Sequence, residues 1–462
     1  MLGKTIFYAA AMSVGVIGQA ADQVPGGHPN IIVIVADDLG HGDLSLTGSE
    51  EIKTPNIDSL AANGSFFTDA YISAPVCLPS RMGLMTGTYQ ERFGVQTLAG
   101  PGGTRDYGIP ADRPTLAQEL KADGYTTGAV GKWHLGEREE YLPNQKGFDD
   151  FYGFIGGSLP YFPDKPGMIW HNERNVEKTQ YMTDDFGERA AAFIEENRGD
   201  PFFLYLAFSA VHLPLEATEK YIEPYNHIKD RSRRTYAAMT TAMDINIGLV
   251  LDALRKNGLY ENTLVFFVSD NGGFPRFWAS NAPFQGGKYV LYEGGIRTPF
   301  LVQWPAGGVP AARRFSEPVS ALDIFPTALA AAGAEYSGPH ALDGVNLLPL
   351  LRGQTDKAPH ERLYWRYGPY MCAMREGDFK ILKNGTGDNK TPQWALYDIV
   401  NDPGETMDLS TRMPDKFSAM KNAFTVWDEA LPEPDFIDQR LVEGIAWWEV
   451  KKKGHEPVQE QD

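Results

Sequence analysis

Three stretches of the chain are apolar at consecutive positions, and each leads directly into charged or polar residues. Asn30-Ile-Ile-Val-Ile-Val-Ala36 ends in Asp37-Asp38, Phe202 to Ser209 leads into Val211-His212, and Thr263 to Val268 ends in Ser269-Asp270-Asn271-Gly272-Gly273. Continuous β-branched and apolar runs of this length read as strands buried on both faces of a parallel sheet. A shorter strand, Thr126 to Val130, leads into Gly131-Lys-Trp-His134, and Ser65 to Tyr71 predicts another. Helical patterns lie between them. Thr54-Pro55 supplies an N-cap and first turn for a helix over residues 55–63, with Ile57 and Leu60 inward and Gly64 as the C-cap. Thr115 to Asp123 closes at Gly124, and Arg233 to Lys256, with Met239, Met243, Ile247 and Leu251 near helical spacing, ends at Gly258 as the longest helix. Strands alternating with helices predict an α/β fold, a mostly parallel sheet sandwiched by helices. Ligands of such sheets bind outside the carboxyl ends of the strands. Asp37, Asp38, His134, His212, Asp270 and Asn271 are therefore expected to converge on one rim.

The pattern changes past Gly353. Gln354 to Pro359 reads as a linker, Arg362 to Lys383 as short alternating strands, and Asp415 to Glu429 as a helix. This predicts a main domain over residues 22–354 and a smaller C-terminal subdomain, an antiparallel sheet plus a helix, over residues 355–462. At the other end, Lys4 precedes an apolar run from Ile6 to Gly18, with small Gly18 and Ala20 ahead of polar Asp22. That is the pattern of a signal peptide over residues 1–21, so the chain is expected to be exported, periplasmic or secreted. The run is too short to span a bilayer, no other stretch reads as a span, and no Cys near the cut offers a lipid anchor.

Composition narrows the function classes. A chain of 462 residues is long enough for one large domain with a smaller companion and a deep site. Hydrophobic residues at 42% and charged residues at 22% fit a folded soluble protein. The net charge of -18, with only the short patch Lys451 to Lys453 on the basic side, excludes a nucleic-acid partner. An anionic substrate would need local positive potential built against that overall field. Cys77 and Cys372 are the only cysteines, so at most one disulfide is possible, and none if Cys77 is chemically modified.

Cys77-Leu-Pro79-Ser-Arg81, followed by Thr86-Gly87, resembles the signature of the type I, formylglycine-dependent sulfatases. The likeness continues in the family's order through Asp37-Asp38-Leu-Gly40, Thr54-Pro-Asn-Ile-Asp58, Gly131-Lys-Trp-His-Leu-Gly136, Asp270-Asn-Gly-Gly273 and Gly287 to Pro299. Leu396-Tyr-Asp-Ile399 and Asn401-Asp-Pro-Gly-Glu405 are similar to its closing region. The resemblance, strongest to bacterial polysaccharide sulfatases, implies an alkaline phosphatase-like fold with residues 22–354 as the catalytic domain. It also implies a maturation enzyme that recognises the cysteine motif and oxidises the Cys77 thiol to an aldehyde, formylglycine.

Asp37, Asp38, Asp270 and Asn271 offer only oxygen ligands, which suit a hard cation rather than zinc. The resemblance implies Ca²⁺ first and Mg²⁺ second, with the modified Cys77 beside it. The blander reading of Asp37-Asp38 is a helix cap, and of Cys77 an inert buried thiol. An aldehyde at Cys77 would hydrate to a geminal diol, one hydroxyl of which attacks sulfur while the ester oxygen leaves. Family positions assign Arg81, Lys132 and Lys288 to the sulfate charge, with Arg81 also bracing the diol and metal. They assign His212 as the acid that protonates the leaving oxygen and His134 as the base that lets the second diol hydroxyl expel sulfate. Each Lys could instead be a solvated surface charge, and each His a satisfied structural one.

The leading expectation is a sulfatase for sulfated carbohydrate, such as carrageenan, ulvan, fucan or glycosaminoglycan oligosaccharides. An aryl or choline sulfate is the alternative substrate, a phosphatase or phosphonate hydrolase the alternative enzyme, and a non-catalytic carbohydrate-binding homologue the non-enzymatic alternative. His171, Trp278, Arg276 and Arg105 are candidate carbohydrate contacts in loops, His171 with a plain surface loop as the blander reading. Number of copies, substrate position attacked and exo or endo action leave no mark that pattern or motif reveals.

Overall fold

The fold was analysed on a computed structural model that describes residues 27–98, 107–163, 165, 167–176, 180–384 and 393–438. The expected signal peptide, Arg105, His455 and Lys451 to Lys453 lie outside the described residues. The strands are β1 (Asn30–Ala36), β2 (Ser65–Phe67), β3 (Ala70–Tyr71), β4 (Thr126–Lys132), β5 (Asp150–Phe154), β6 (Ile169–His171), β7 (Arg174–Val176) and β8 (Phe202–Ala207). They continue with β9 (Thr263–Ser269), β10 (Phe300–Gln303), β11 (Arg313–Phe315), β12 (Val319–Ser320), β13 (Arg362–Tyr367), β14 (Met371–Glu376), β15 (Phe379–Lys383) and β16 (Trp394–Asp398). The helices are α1 (Pro55–Ala62), α2 (Cys77–Thr86), α3 (Leu116–Ala122), α4 (Met182–Glu196), α5 (Glu219–Ile222), α6 (Arg231–Lys256), α7 (Glu293–Ile296), α8 (Ile324–Ala332), α9 (Leu348–Leu351) and α10 (Pro414–Glu429).

The large sheet runs β11-β2-β10-β9-β1-β8-β4-β5-β6-β7. Its middle, β9 through β5, is parallel, and antiparallel partners extend it on both sides. The apolar runs form this middle because both faces are covered. Ile31, Val33 and Val35 of β1 pack towards α2, α3 and α8, whereas Ile32 and Ile34 pack towards α1, α4 and α6. The register sets Ala36 beside Ser269 and Gly131 beside Ala207, so the chain leaves all four central strands at one edge. Gly131 has φ 109, and a Cβ there would lie 1.9 Å from the Ala207 carbonyl oxygen, so only glycine lets β4 pass so close to β8.

One strand expectation needs correction. Ser65 to Tyr71 is not one strand: β2 joins the large sheet, whereas β3 pairs with β12 in a sheet of two. Asp69 causes the break, because its carboxylate turns to Arg297 and Arg375. Helix α6 is apolar enough to cross a bilayer by length and composition, which the sequence reading passed over, but 72% of its apolar window is buried inside the fold.

The C-terminal strands form an antiparallel sheet, β13-β14-β15-β16. One face carries Met374, Ile381 and Leu396 against Met420, Phe424 and Trp427 of α10. The other presses Leu363, Trp365, Tyr367 and Leu382 onto Tyr71, Val76, Leu291 and Ile296. Those partners flank Cys77 on one side and follow Lys288 on the other, so this sheet backs the rim.

Candidate active site

All the candidate side chains except Arg81 and Lys288 sit at or just beyond an end of a central strand or helix. Asp37 and Asp38 follow β1, Lys132 closes β4 with His134 two residues on, His212 follows β8, and Asp270 and Asn271 follow β9. Cys77 is the first residue of α2, whose ten residues are all buried, and Arg81 lies one turn later. The helix points its unpaired N–H groups and positive dipole end at the rim. Lys288 arrives on a loop pinned by its own N–H to the Gly273 carbonyl, 3.1 Å, and by Tyr289 N–H to Pro75 O, 2.9 Å. The cysteine loop, the β9 end and the Lys288 loop are thus stitched together through backbone groups.

Charges alternate across the rim. Lys132 Nζ donates to Asp37 Oδ2 at 2.6 Å, and both are fully buried. Lys288 Nζ donates to both oxygens of Asp38, at 2.6 and 2.8 Å. Arg81 Nε donates to Asp270 Oδ2 at 2.8 Å, and its Nη2 lies 3.7 Å from Asp37 Oδ1. Asn271 Nδ2 donates to Asp38 Oδ1 at 2.8 Å, which turns its Oδ1 the other way. Among the described residues, Asp37 Oδ1 and Asn271 Oδ1 are buried acceptors that no N–H or O–H reaches. Such acceptors cost free energy unless something positive meets them.

Ligand atoms of Asp37, Asp38 and His212 also lie within 4.8 Å of one another. His212 Nε2 is 3.7 Å from Asp38 Oδ2 and its Nδ1 is 2.8 Å from the Leu213 carbonyl, which fixes the ring. A hard cation would favour the oxygens of Asp37, Asp38, Asp270 and Asn271 over the His212 imidazole. The donor set therefore fits Ca²⁺ or Mg²⁺. No helix begins at Asp37-Asp38, so the capping alternative is set aside: the next short helical turn, over His41–Asp43, has Gly40 as its N-cap.

Burial and neighbours set the protonation of these groups. Burial and then Asp270 push the Asp37 carboxyl up to about 7, against the pull of Lys132 and Arg81. Burial acts on Asp38 in the same direction, but Lys288 and His212 outweigh it and hold its carboxyl below the ordinary range. Burial, then Lys288, pushes the His212 imidazole down to about 3, with Asp38 pulling the other way. Burial, then Lys132 and Arg81, holds His134 well below its ordinary value. Burial raises the Cys77 thiol despite Lys132 and Lys288, so an unmodified Cys77 is a protonated, poor nucleophile. Its surroundings are charged rather than apolar, unlike those of an inert core cysteine. Cys77 and Cys372 are both free.

Above the charged floor lies a cavity of about 200 Å³ lined by Asp38, His212, Lys288, Tyr236, Phe274, Arg276, Phe277 and Tyr289. It pairs a floor of charged side chains with an aromatic wall, a combination that could seat a charged group and the ring bearing it. Of the loop candidates, Arg276 lines this cavity. Trp278 does not, and its carbonyl accepts from Arg233 at 2.7 Å. His171 is not in a loop but on β6, between β5 and β7, held 2.9 Å from Asp150.

Sequence reasoning missed three supporting groups. The Tyr205 hydroxyl oxygen accepts from Arg81 Nη1 at 3.4 Å, Tyr161 O–H donates to the His212 carbonyl at 2.9 Å, and the Ser80 hydroxyl donates to the Asp270 carbonyl. A phenol inside the apolar run Phe202-Phe-Leu-Tyr205-Leu-Ala was the available signal, since a buried Tyr must find a partner. The aromatic wall left none, because Tyr236 lies on α6 while Phe274, Phe277 and Tyr289 come from a segment without strand or helix periodicity.

With this geometry in view, the comparisons with known proteins fall into place. The sequence profile described as sulfatase matches residues 29–334, and one described as the C-terminal part of N-sulphoglucosamine sulphohydrolase matches residues 286–422. The chain is 37% identical to arylsulfatase J of Mus musculus, covering 84% of this chain and 73% of that one. It is 33% identical to N-acetylgalactosamine-6-sulfatase of Homo sapiens, covering 83% and 81%. Among solved structures, the crystal structure of Ps i-CgsB in complex with k-i-k-neocarrahexaose superposes with a TM-score of 0.84 at 38% identity, covering 91% of this chain and 97% of that one.

Proposed function

Since the chain belongs to the sulfatase family and is a sulfuric ester hydrolase, we propose that it removes sulfate from carbohydrate, with carrageenan-type oligosaccharides as the first candidate. The substrate reading draws on the neighbour solved with k-i-k-neocarrahexaose and on the aromatic wall beside the charged floor. The observation that carries the chemistry is Cys77 at the N-terminus of α2, ringed by Arg81, Lys132 and Lys288 and by two buried acceptor oxygens awaiting a cation. Asp37, Asp38, Asp270 and Asn271 would hold Ca²⁺, or Mg²⁺ as second choice, beside the modified Cys77. When bound, the cation neutralises sulfate oxygens and lowers the pKa of a neighbouring hydroxyl.

The chain's own residues do the rest. Conversion of Cys77 to formylglycine by a maturation enzyme would replace a protonated thiol with an aldehyde, which adds water to give a geminal diol, one hydroxyl of which is the nucleophile. Arg81, Lys132 and Lys288 meet the charge spread over the sulfate oxygens, where burial strengthens each contact. His212 delivers a proton from Nε2 to the leaving oxygen, and the negative charge of bound substrate offsets the effects that hold its imidazole neutral. His134, also neutral, accepts a proton when sulfate is expelled. Export to the periplasm or medium would bring the chain to polysaccharide fragments too large to enter a cell.

An aryl or choline sulfate is the second reading; the share of the cavity wall that is aromatic suits an aryl ring as well as a sugar face. Sulfate release from a panel of carrageenan, ulvan, fucan and glycosaminoglycan oligosaccharides, beside a chromogenic aryl sulfate, separates the two. Release from the aryl ester with none from any oligosaccharide sinks the carbohydrate proposal and favours the small-molecule one.

A further inference from the structure

The buried charges behind the rim are used by no step above, and they join it to the C-terminal sheet. Lys380 Nζ, on β15, is fully buried between Glu293 Oε1 and Glu405 Oε1, each 2.9 Å away. Glu405 Oε2 also accepts from the Glu293 N–H at 2.6 Å. The other oxygen of Glu293 accepts from Tyr71 O–H at 2.7 Å and from Arg297 at 3.2 Å. Glu293 opens α7, and α7 touches the rim on two sides. Gly272 N–H, next to Asn271, donates to the Gly295 carbonyl at 3.0 Å, and Ile72 N–H, in the strand leading to Cys77, donates to the Ile296 carbonyl at 2.9 Å. The fit leaves no slack: a Cβ on Gly272 would lie 1.8 Å from the Gly294 carbonyl oxygen.

We propose that Lys380 and Glu405 are positioning residues: by clamping α7 they fix Asn271 Oδ1 and Lys288, and so set the affinity of the rim for its divalent cation. The inference rests on the cation reading given above. A C-terminal residue thereby controls a site to which it contributes no ligand, as supporting hydrogen bonds do around metal ligands. Two carboxylates sharing one buried ammonium make the clamp stiff, because each would be left uncompensated if the turn moved.

The test is calcium affinity of the purified full chain, from the rise in melting midpoint with added Ca²⁺ and from titration calorimetry, alongside kcat and KM. Lys380→Met combined with Glu405→Gln removes the clamp without leaving a lone buried charge on either residue. It is expected to melt cooperatively, bind Ca²⁺ roughly 10- to 100-fold more weakly and lose kcat more than KM. Glu405→Gln alone keeps an acceptor for the Glu293 N–H; it weakens Ca²⁺ in the same direction and carries the test if the double variant does not fold. Met420→Ala, in the core under α10, lowers the melting midpoint and leaves calcium affinity unchanged. Folded clamp variants with the parent's calcium affinity overturn this inference alone. A parent chain whose melting does not respond to Ca²⁺ or Mg²⁺ overturns the cation reading and this one with it.

Discussion

On the rim each cation faces a carboxylate, and the groups proposed to move protons are held neutral, so single substitutions there have separable effects. An alkoxide leaving from a sugar needs a proton far more than a phenolate does. His212→Ala is therefore expected to lower kcat/KM on a sugar sulfate by roughly 10²- to 10⁴-fold and on an activated aryl sulfate by much less. Equal losses on both, measured side by side, would take the acid role from His212. A second prediction concerns Glu91, away from the rim. Burial pushes its carboxyl up to about 8, one oxygen has no partner among the described residues, and the other accepts only weakly from Arg366 N–H at 3.3 Å. A carboxyl raised in the fold contributes most below its unfolded pKa, and that contribution is lost as pH rises towards 8. Glu91→Gln should thus gain stability relative to the parent between pH 5 and 8, by about 2 kcal/mol at the alkaline end. Melting curves whose difference does not grow with pH would contradict this.

At the scale of elements, the sequence was most legible where one physical demand dominated. β1, β8 and β9 must be apolar on both faces, so composition alone located them to within a residue or two. The rim was legible for the same reason, because polar residues at the end of a buried strand have no core to join. What stayed hidden depends on contacts distant in sequence. The split of residues 65–71 is decided by Arg297 and Arg375, and the aromatic wall by three loop residues brought together only in the fold. The segments Gly287 to Pro299 and Asn401 to Glu405 resembled the family with a role visible only for Lys288; the clamp proposed on α7 would give Glu293 and Glu405 one as well. Gly272→Ala tests how tightly that element is held. Overpacking of this kind costs typically about 1–3 kcal/mol, and displacement of α7 should also cut sulfate release by at least roughly 10-fold, as loss of support for a metal ligand does. A variant as stable and active as the parent would show that α7 has room to yield.

Over the whole molecule, a parallel sheet with strand ends gathered at one edge is backed by a smaller antiparallel sheet whose apolar face presses on the segments around Cys77 and Lys288. The arrangement gathers Arg81, Lys132 and Lys288 at one place in a chain of net charge -18, and with the proposed cation offsetting the rim carboxylates an anion would be drawn there rather than to the repelling surface around it. All of this serves one side chain. The most direct test is the mass of the peptide carrying residue 77, taken from chain produced with a sulfatase-maturing enzyme, together with sulfate release by the same preparation. The account predicts a peptide lighter by the difference between CH₂SH and CHO, in a fraction that tracks specific activity across preparations, with Cys77→Ala inactive. Full activity from a preparation whose residue 77 is entirely thiol would contradict it.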